Sequence, residues 1–228
     1  MIEMKDVEKR YPNGVRALNG IDITIKKGEF VYVVGPSGAG KSTFIKMMYR
    51  EEKPSSGTIT INGTRLADLK EKHVPHLRRN IGVVFQDFKL LPTLTVFENV
   101  AFALEVLEEK RTVIKKRVME TLGFVGLKNK ARFLPDELSG GEQQRISIAR
   151  AIINNPSVLI ADEPTGNLDP DTAWEIMDIL EEINSQGTTI VMATHNKDIV
   201  NTIKKRVIAV ENGRIARDER RGGYGYER

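Results

Sequence analysis

Phe30-Val31-Tyr32-Val33-Val34-Gly35-Pro36-Ser37-Gly38-Ala39-Gly40-Lys41-Ser42-Thr43 is the stretch that decides the fold. Its first five residues are continuously apolar, the pattern of a strand covered on both faces. The strand runs into Gly35, and a helical pattern begins just after Lys41. Gly35 to Ser42 fits the spacing G-x-x-x-x-G-K-[ST] in the strand-to-helix context that gives the motif its meaning. Its glycines let successive backbone N–H groups turn inward as a concave anion site. The helix N-terminus adds partial positive charge beneath the anion. Lys41 brings a mobile full charge to β- and γ-phosphates, and Ser42 offers a hydroxyl to Mg²⁺. A random chain of this length meets the pattern on the order of once in a hundred. The stretch therefore predicts nucleoside triphosphate binding over Gly35 to Thr43.

Outward from it, Ile21 to Ile25 and Thr58 to Asn62 alternate as half-buried strands, bounded by turn residues. From about Thr95 to Asn155 the pattern is helical, and Ile114, Val118, Leu122 and Val125 recur on one stripe. Strand signals return at Val158 to Ala161 and Thr189 to Ala193, around a helix predicted over Thr172 to Asn184. This alternation predicts an α/β fold, with right-handed crossovers over a parallel sheet and a helical insertion. The glycine-rich basic end, Arg220 to Tyr226, reads as loosely ordered.

The strand at Val158 ends in Asp162 and Glu163. Neighbours along a strand point to opposite sides, so the two carboxylates have different tasks. Asp162, aligned with the phosphate loop, is the candidate for holding Mg²⁺, directly or through water. Glu163 is the candidate for orienting and polarising the water that attacks the γ-phosphorus. Leu138-Ser139-Gly140-Gly141-Glu142 is a further site signal. Ser139 and Glu142 have capping-box spacing, so a helix starts here and runs through Ile146, Ile148, Ala149 and Ile152. Gly140 and Gly141 in its first turn allow close backbone approach, which makes a second anion site without a lysine. With one phosphate site already present in the chain, the economical reading is that this one completes the site of another subunit.

Composition narrows the class. The chain has 228 residues, 40% hydrophobic and 29% charged, an ordinary globular balance. Its net charge of +4 is too mild for a strong nucleic-acid footprint, and no nucleic-acid partner is expected. There is no cysteine, hence no disulfide or thiolate chemistry, and no His/Cys cluster suggests zinc. The start of the chain lacks a signal-peptide pattern, and no apolar run approaches the about 18 residues of a spanning helix.

The motifs together resemble the ATP-binding-cassette (ABC) family of ATPases over essentially the whole chain. Leu138 to Glu142 resembles the family signature. Tyr11 resembles the aromatic residue that stacks on adenine, and Gln86 the glutamine that senses Mg²⁺ and couples to a transmembrane partner. Asn167-Leu168-Asp169 resembles the loop that crosses the dimer interface, though its family form often has Ala before Leu-Asp. His195 resembles the switch histidine at the γ-phosphate. The resemblance implies a single P-loop ATPase domain using ATP and Mg²⁺. It has a mainly parallel core over 1–92 and 156–217 with an N-terminal antiparallel β subdomain, a helical subdomain over 93–155, and a tail over 218–228. The implied catalytic residues are Glu163, His195 and Lys41, with Ser42, Gln86 and Asp162 as metal ligands. Tyr11, Gly35 to Thr43, Gln86, Ser139 to Glu142 and Asp169 then bind nucleotide. His73 and His76 match none of the family motifs and read as surface residues.

Within the family, Met48 to Glu52, Leu77-Arg78-Arg79 and Phe85 to Pro92 resemble its cell-division branch. Lipoprotein- and macrolide-exporting relatives share Asp162 to Asp169, so that run does not discriminate, whereas Asp87 and Lys89 favour the cell-division branch. The resemblance implies ATP-driven homodimerisation and a peripheral place on the cytoplasmic face of the cell membrane. It also implies an integral membrane partner resembling FtsX, docked near Phe85 to Thr95, through which cell-wall hydrolysis is controlled. A GTPase reading fails because Asn196-Lys197-Asp198-Ile199 breaks N-K-x-D. A chromosome-organising ATPase would need sustained heptads. A soluble ATPase without membrane partner is separated by its membrane retention.

Overall fold

The structure, a computed structural model, describes residues 1–225. The apolar run Phe30–Val34 is a strand (β3) in which all five residues are buried. Val31 and Val33 join one core cluster, and Phe30, Tyr32 and Val34 join another on the opposite face. Two covered faces are the physical reason the run is apolar without alternation. β3 pairs in parallel with Thr189–Ala193 (β8) and Arg206–Glu211 (β9). Val158–Asp162 (β7) and Ile81–Val84 (β6) continue the parallel array beyond β8. Arg214–Glu219 (β10) closes the far edge antiparallel to β9, giving the order β10-β9-β3-β8-β7-β6.

An antiparallel sheet of Ile2–Arg10 (β1), Arg16–Ile25 (β2), Ser56–Ile61 (β4) and Thr64–Arg65 (β5) has the order β2-β1-β4-β5. Its apolar side chains share a core with Val31, Val33 and helix Lys41–Met48 (α1), which buries Phe44, Ile45, Met47 and Met48. The other face of the large sheet is covered mainly by Pro170–Ser185 (α6) and Lys197–Thr202 (α7). The short helix Val74–Arg79 (α2) leads into β6. Between β6 and β7, Val96–Glu105 (α3), Arg111–Phe124 (α4) and Gly140–Ile152 (α5) pack on one another around a third cluster. The stripe Ile114, Val118, Leu122 and Val125 is buried there. The fold is therefore α/β, with an antiparallel sheet laid on a mostly parallel one.

Register places the chemistry. Asp162 lies opposite Ala193, and Ala193 opposite Val33, so the ends of β7, β8 and β3 form one row. The turns after these strands open at their carboxyl edge, where ligands of parallel α/β sheets bind.

The expectation of a loosely ordered end is corrected. β10 continues to Glu219, and Tyr224 is only 6% exposed, within the α6–α7 core cluster. Tyr224 N donates to Asn201 Oδ1 (2.8 Å) and Gly222 N to Lys205 O (3.2 Å). Glycine and arginine set the composition of this segment, but one aromatic ring with an apolar seat decides its structure. Tyr226, which belongs to the same expectation, lies outside the described residues. Tyr224→Ala should destabilise the chain by about 3 kcal/mol, through lost burial and a cavity. Urea denaturation measures this, and a loss under about 0.5 kcal/mol, the size of a surface substitution, would mean the ring is not part of the core.

Candidate functional site

The phosphate loop is shaped by backbone that only glycine tolerates. Gly40, the N-cap of α1, has φ 107°, and a β-carbon there would lie 2.4 Å from Ala17 O. Ala39 is buried and accepts from Gly213 N (3.1 Å), which fastens the loop to the β9–β10 turn. Lys41 Nζ donates to Gly35 O (2.8 Å) and Pro36 O (3.1 Å), so the ammonium arches over the loop. Ser42 is exposed in the first turn of α1. Tyr11 hydroxyl and Thr43 Oγ1 hydrogen-bond at 3.2 Å, which brings the tyrosine to the same turn. Lys9 Nζ stands 4.9 Å from the Tyr11 ring centroid, within cation–π range.

At the end of β7 the two carboxylates have different surroundings, and since the strand stops at Asp162 it is the turn, not strand alternation, that sets Glu163 apart. Asp162 stays in the strand, and burial pushes its carboxyl above the usual range, aided by Glu163 and opposed by Lys46 and Lys41. Glu163 leaves the strand with φ 51°, anchored by its N–H to Ala193 O (3.0 Å). Its Oε2 accepts from His195 N (3.1 Å) and faces His195 Nδ1 at 2.8 Å. His195, two residues past β8, is thus joined to Glu163 by backbone and side chain. Gln86 Nε2 donates to Asn167 Oδ1 (3.2 Å), and Asn167 Nδ2 donates back to Gln86 O (3.2 Å). That reciprocal pair is where the structure places Asn167.

A divalent cation suits this edge. Asp162 is a half-buried carboxylate with no hydrogen bond or ion pair among the described residues. No group of three or more His, Cys, Asp or Glu suited to a metal occurs among the described residues. One carboxylate, one hydroxyl and one amide oxygen are a donor set for Mg²⁺, which takes much of its coordination from substrate phosphates and water.

The expected second anion site falls at the start of α5. Ser139 Oγ accepts from Glu142 N (3.3 Å), and Ser139 N donates to Glu142 Oε2 (3.1 Å), a complete capping box. Gly141 lies so close to α6 that a β-carbon would be 2.3 Å from Thr172 Cγ2. Asp169 caps α6, accepting from Thr172 N (3.0 Å), so the interface-loop motif and the signature motif are neighbours. No hydrogen bond or ion pair joins Ser139–Glu142 to Gly35–Ser42 among the described residues.

Several side chains that sequence spacing does not reveal hold these parts. Gln144, fully buried, donates from Nε2 to Pro164 O (2.7 Å), linking α5 to the residue after Glu163. Arg150 donates to Lys89 O (2.6 Å) and Phe88 O (2.9 Å). Buried Asn99 accepts from Leu91 N (2.8 Å) and donates to the carbonyls of Leu91 (3.0 Å), Leu94 (2.8 Å) and Thr95 (3.1 Å). Arg150 and Asn99 thus hold the segment Phe88 to Thr95, whose Lys89 and Leu91 line a groove of about 400 Å³. Phe85, Leu91 and Phe102 line it, with Arg78, Arg79, Lys89 and Arg150 as cations. Phe102 and nearby Val106 are 46% and 57% exposed. Among the described residues no helix is long and apolar enough to cross a membrane.

Comparison with known proteins follows the same lines. A family profile described as ABC transporter matches residues 18–166. The cell division ATP-binding protein FtsE of Bacillus subtilis (strain 168) is 74% identical over 225 residues, 99% of each chain. The protein of the same name from Mycobacterium tuberculosis (strain ATCC 25618 / H37Rv) is 53% identical over 229 residues, 100% of each. Among solved structures, a dimeric post-hydrolysis state of the ATP-binding cassette MJ0796 bound to ADP and Pi superposes with a TM-score of 0.88. It is 37% identical, covering 98% of this chain and 100% of that one.

Proposed function

Because this chain belongs to the ABC transporter family and is an ATPase of that family, we propose that it is the ATP-hydrolysing subunit of a membrane-associated cell-division complex. The observation that carries the mechanism is the Glu163–His195 contact at the end of β7, in the strand row that leads to the phosphate loop. The loop N–H groups, α1 and Lys41 bind the phosphates, and Tyr11 receives the adenine. Ser42, Gln86 and Asp162 would hold Mg²⁺, which when bound neutralises charge on the transferring phosphoryl oxygens. Glu163 orients the attacking water and draws its proton with the carboxylate oxygen that His195 leaves free, while His195 holds Oε2 in place and faces the γ-phosphate. Ser139, Gly140 and Gly141 act on the nucleotide of a second copy, and Asp169 lies at that interface. A two-fold dimer then contains two identical composite sites. The cassette structure that superposes on this chain is itself dimeric, which supports the arrangement.

The groove around Phe85 to Thr95 receives an integral membrane partner resembling FtsX. This places the chain peripherally on the cytoplasmic face of the membrane. The exposed apolar side chains beside four cationic residues suit an apolar segment carrying a carboxylate. Flotation of membranes prepared with and without the spanning partner tests it. The chain should float only with the partner, and Phe102→Glu should cut the retained fraction about tenfold while ATP binding is unchanged, the effect of a charge buried against apolar surface. Equal flotation without the partner, or of the Phe102→Glu chain, would refute the docking surface.

A further inference from the structure

The start of α5 contains an electrostatic contradiction. By helix geometry the N–H groups of Gly140 and Gly141 have no intrahelical acceptor, so they are what an anion meets there. Yet the third residue of the same turn is Glu142, whose carboxylate would repel a phosphate approaching those N–H groups. The carboxylate is not dispensable, because its Oε2 takes the N–H of Ser139 and completes the cap.

The contradiction is resolved by a residue outside the motif. Lys130, in a short 3₁₀ turn over Lys128–Lys130, donates from Nζ to Glu142 Oε1. Both carboxylate oxygens are thereby occupied, one by the cap and one by the ammonium. The Lys130 ammonium also lies 5.9 Å from the centroid of the Phe133 ring, so it is held from two sides. The two side chains are 30% and 21% exposed, which leaves the pair partly screened from water rather than loose on the surface. The Glu142 carboxyl is held below its usual range, first by Lys130 and then by the Ser139 backbone N–H.

We propose that Lys130 is a positioning residue of the nucleotide clamp. It cancels the charge of Glu142, so that this carboxylate caps the Ser139 helix while the helix start stays attractive to the phosphates of a facing copy. The proposal rests on the composite-site reading above.

The experiment uses the full chain carrying Glu163→Gln, so that ATP is not consumed, and titrates MgATP while dimer is followed by sedimentation velocity. Lys130→Met should raise the ATP concentration for half-dimerisation about tenfold, with a steeper effect at low salt, as expected of an uncompensated charge beside a phosphate. Adding Glu142→Gln should return it to within about twofold of the parent, since glutamine still caps and carries no charge. Lys130→Arg should match the parent. Nucleotide binding to the monomer, which uses the phosphate loop, should be equal in all variants. A Lys130→Met chain that dimerises at the parent's ATP concentration overturns the proposal alone, as does a double variant no better than the single one. A parent chain that stays monomeric at saturating MgATP overturns the composite-site reading and this proposal together.

Discussion

Lys41→Ala should weaken MgATP binding at least about a hundredfold, to the limit of calorimetric detection, because a charge-assisted contact to polyphosphate is removed from a partly enclosed site. The structure explains why no neighbour substitutes. Lys41 Nζ is held over the loop by the carbonyls of Gly35 (2.8 Å) and Pro36 (3.1 Å), so its position is set before ligand arrives. Lys46, the other lysine acting on Asp162, is committed to Glu51 at 2.9 Å. The loop N–H groups remain in the variant but supply only partial charges. The fold should survive, since Lys41 is not a core residue and the seat of α1 consists of Phe44, Ile45, Met47 and Met48. Titration calorimetry with MgATP decides it, and a dissociation constant within about threefold of the parent's would remove Lys41 from the role assigned here.

Glu163→Gln should bind MgATP as the parent does, hydrolyse it about a thousandfold more slowly, and accumulate as a closed dimer. The magnitude is that of a lost general base. Glutamine nearly matches glutamate in shape, so the hydrogen bond from His195 N can persist, and the positive φ of 51° is unchanged in cost. What disappears is the oxygen that can take a proton. With hydrolysis blocked and binding intact, the nucleotide stays between two copies. Phosphate release measures the rate, and size-exclusion chromatography with and without MgATP measures the dimer. Hydrolysis near the parent's rate would assign the proton to another group.

The parts of the site that sequence reveals are those built from adjacent residues. The phosphate loop, the capping box and the acidic strand end each lie within eight or fewer consecutive positions, so their geometry follows from local backbone rules. β3 is legible for the same reason, because coverage on both faces leaves a continuous apolar signature. β1 is harder to read, since its burial loses strict alternation where Asp6 takes φ 48° and the register slips between Met4 and Val7. β6 has only four residues, one of them Gly82. The Asn212-Gly213 turn between β9 and β10, with φ of 48° and 73°, is a local hairpin signal by contrast. The pairings that support the site are mostly long-range. Arg150 reaches Phe88 and Lys89 across sixty-one or more positions, and Lys130 meets Glu142 through a loop. No spacing rule anticipates such pairs, because tertiary packing creates them.

Phe88 is tied to α5 near one end and lies close to it at the other. Its carbonyl accepts from Arg150 near the helix C-terminus (2.9 Å), and its ring Cζ would lie 3.8 Å from a β-carbon on Gly140 at the helix start. Those two residues are separated by about 15 Å of helix. A single loop residue beside the groove therefore stands next to both ends of the helix that carries the glycine turn.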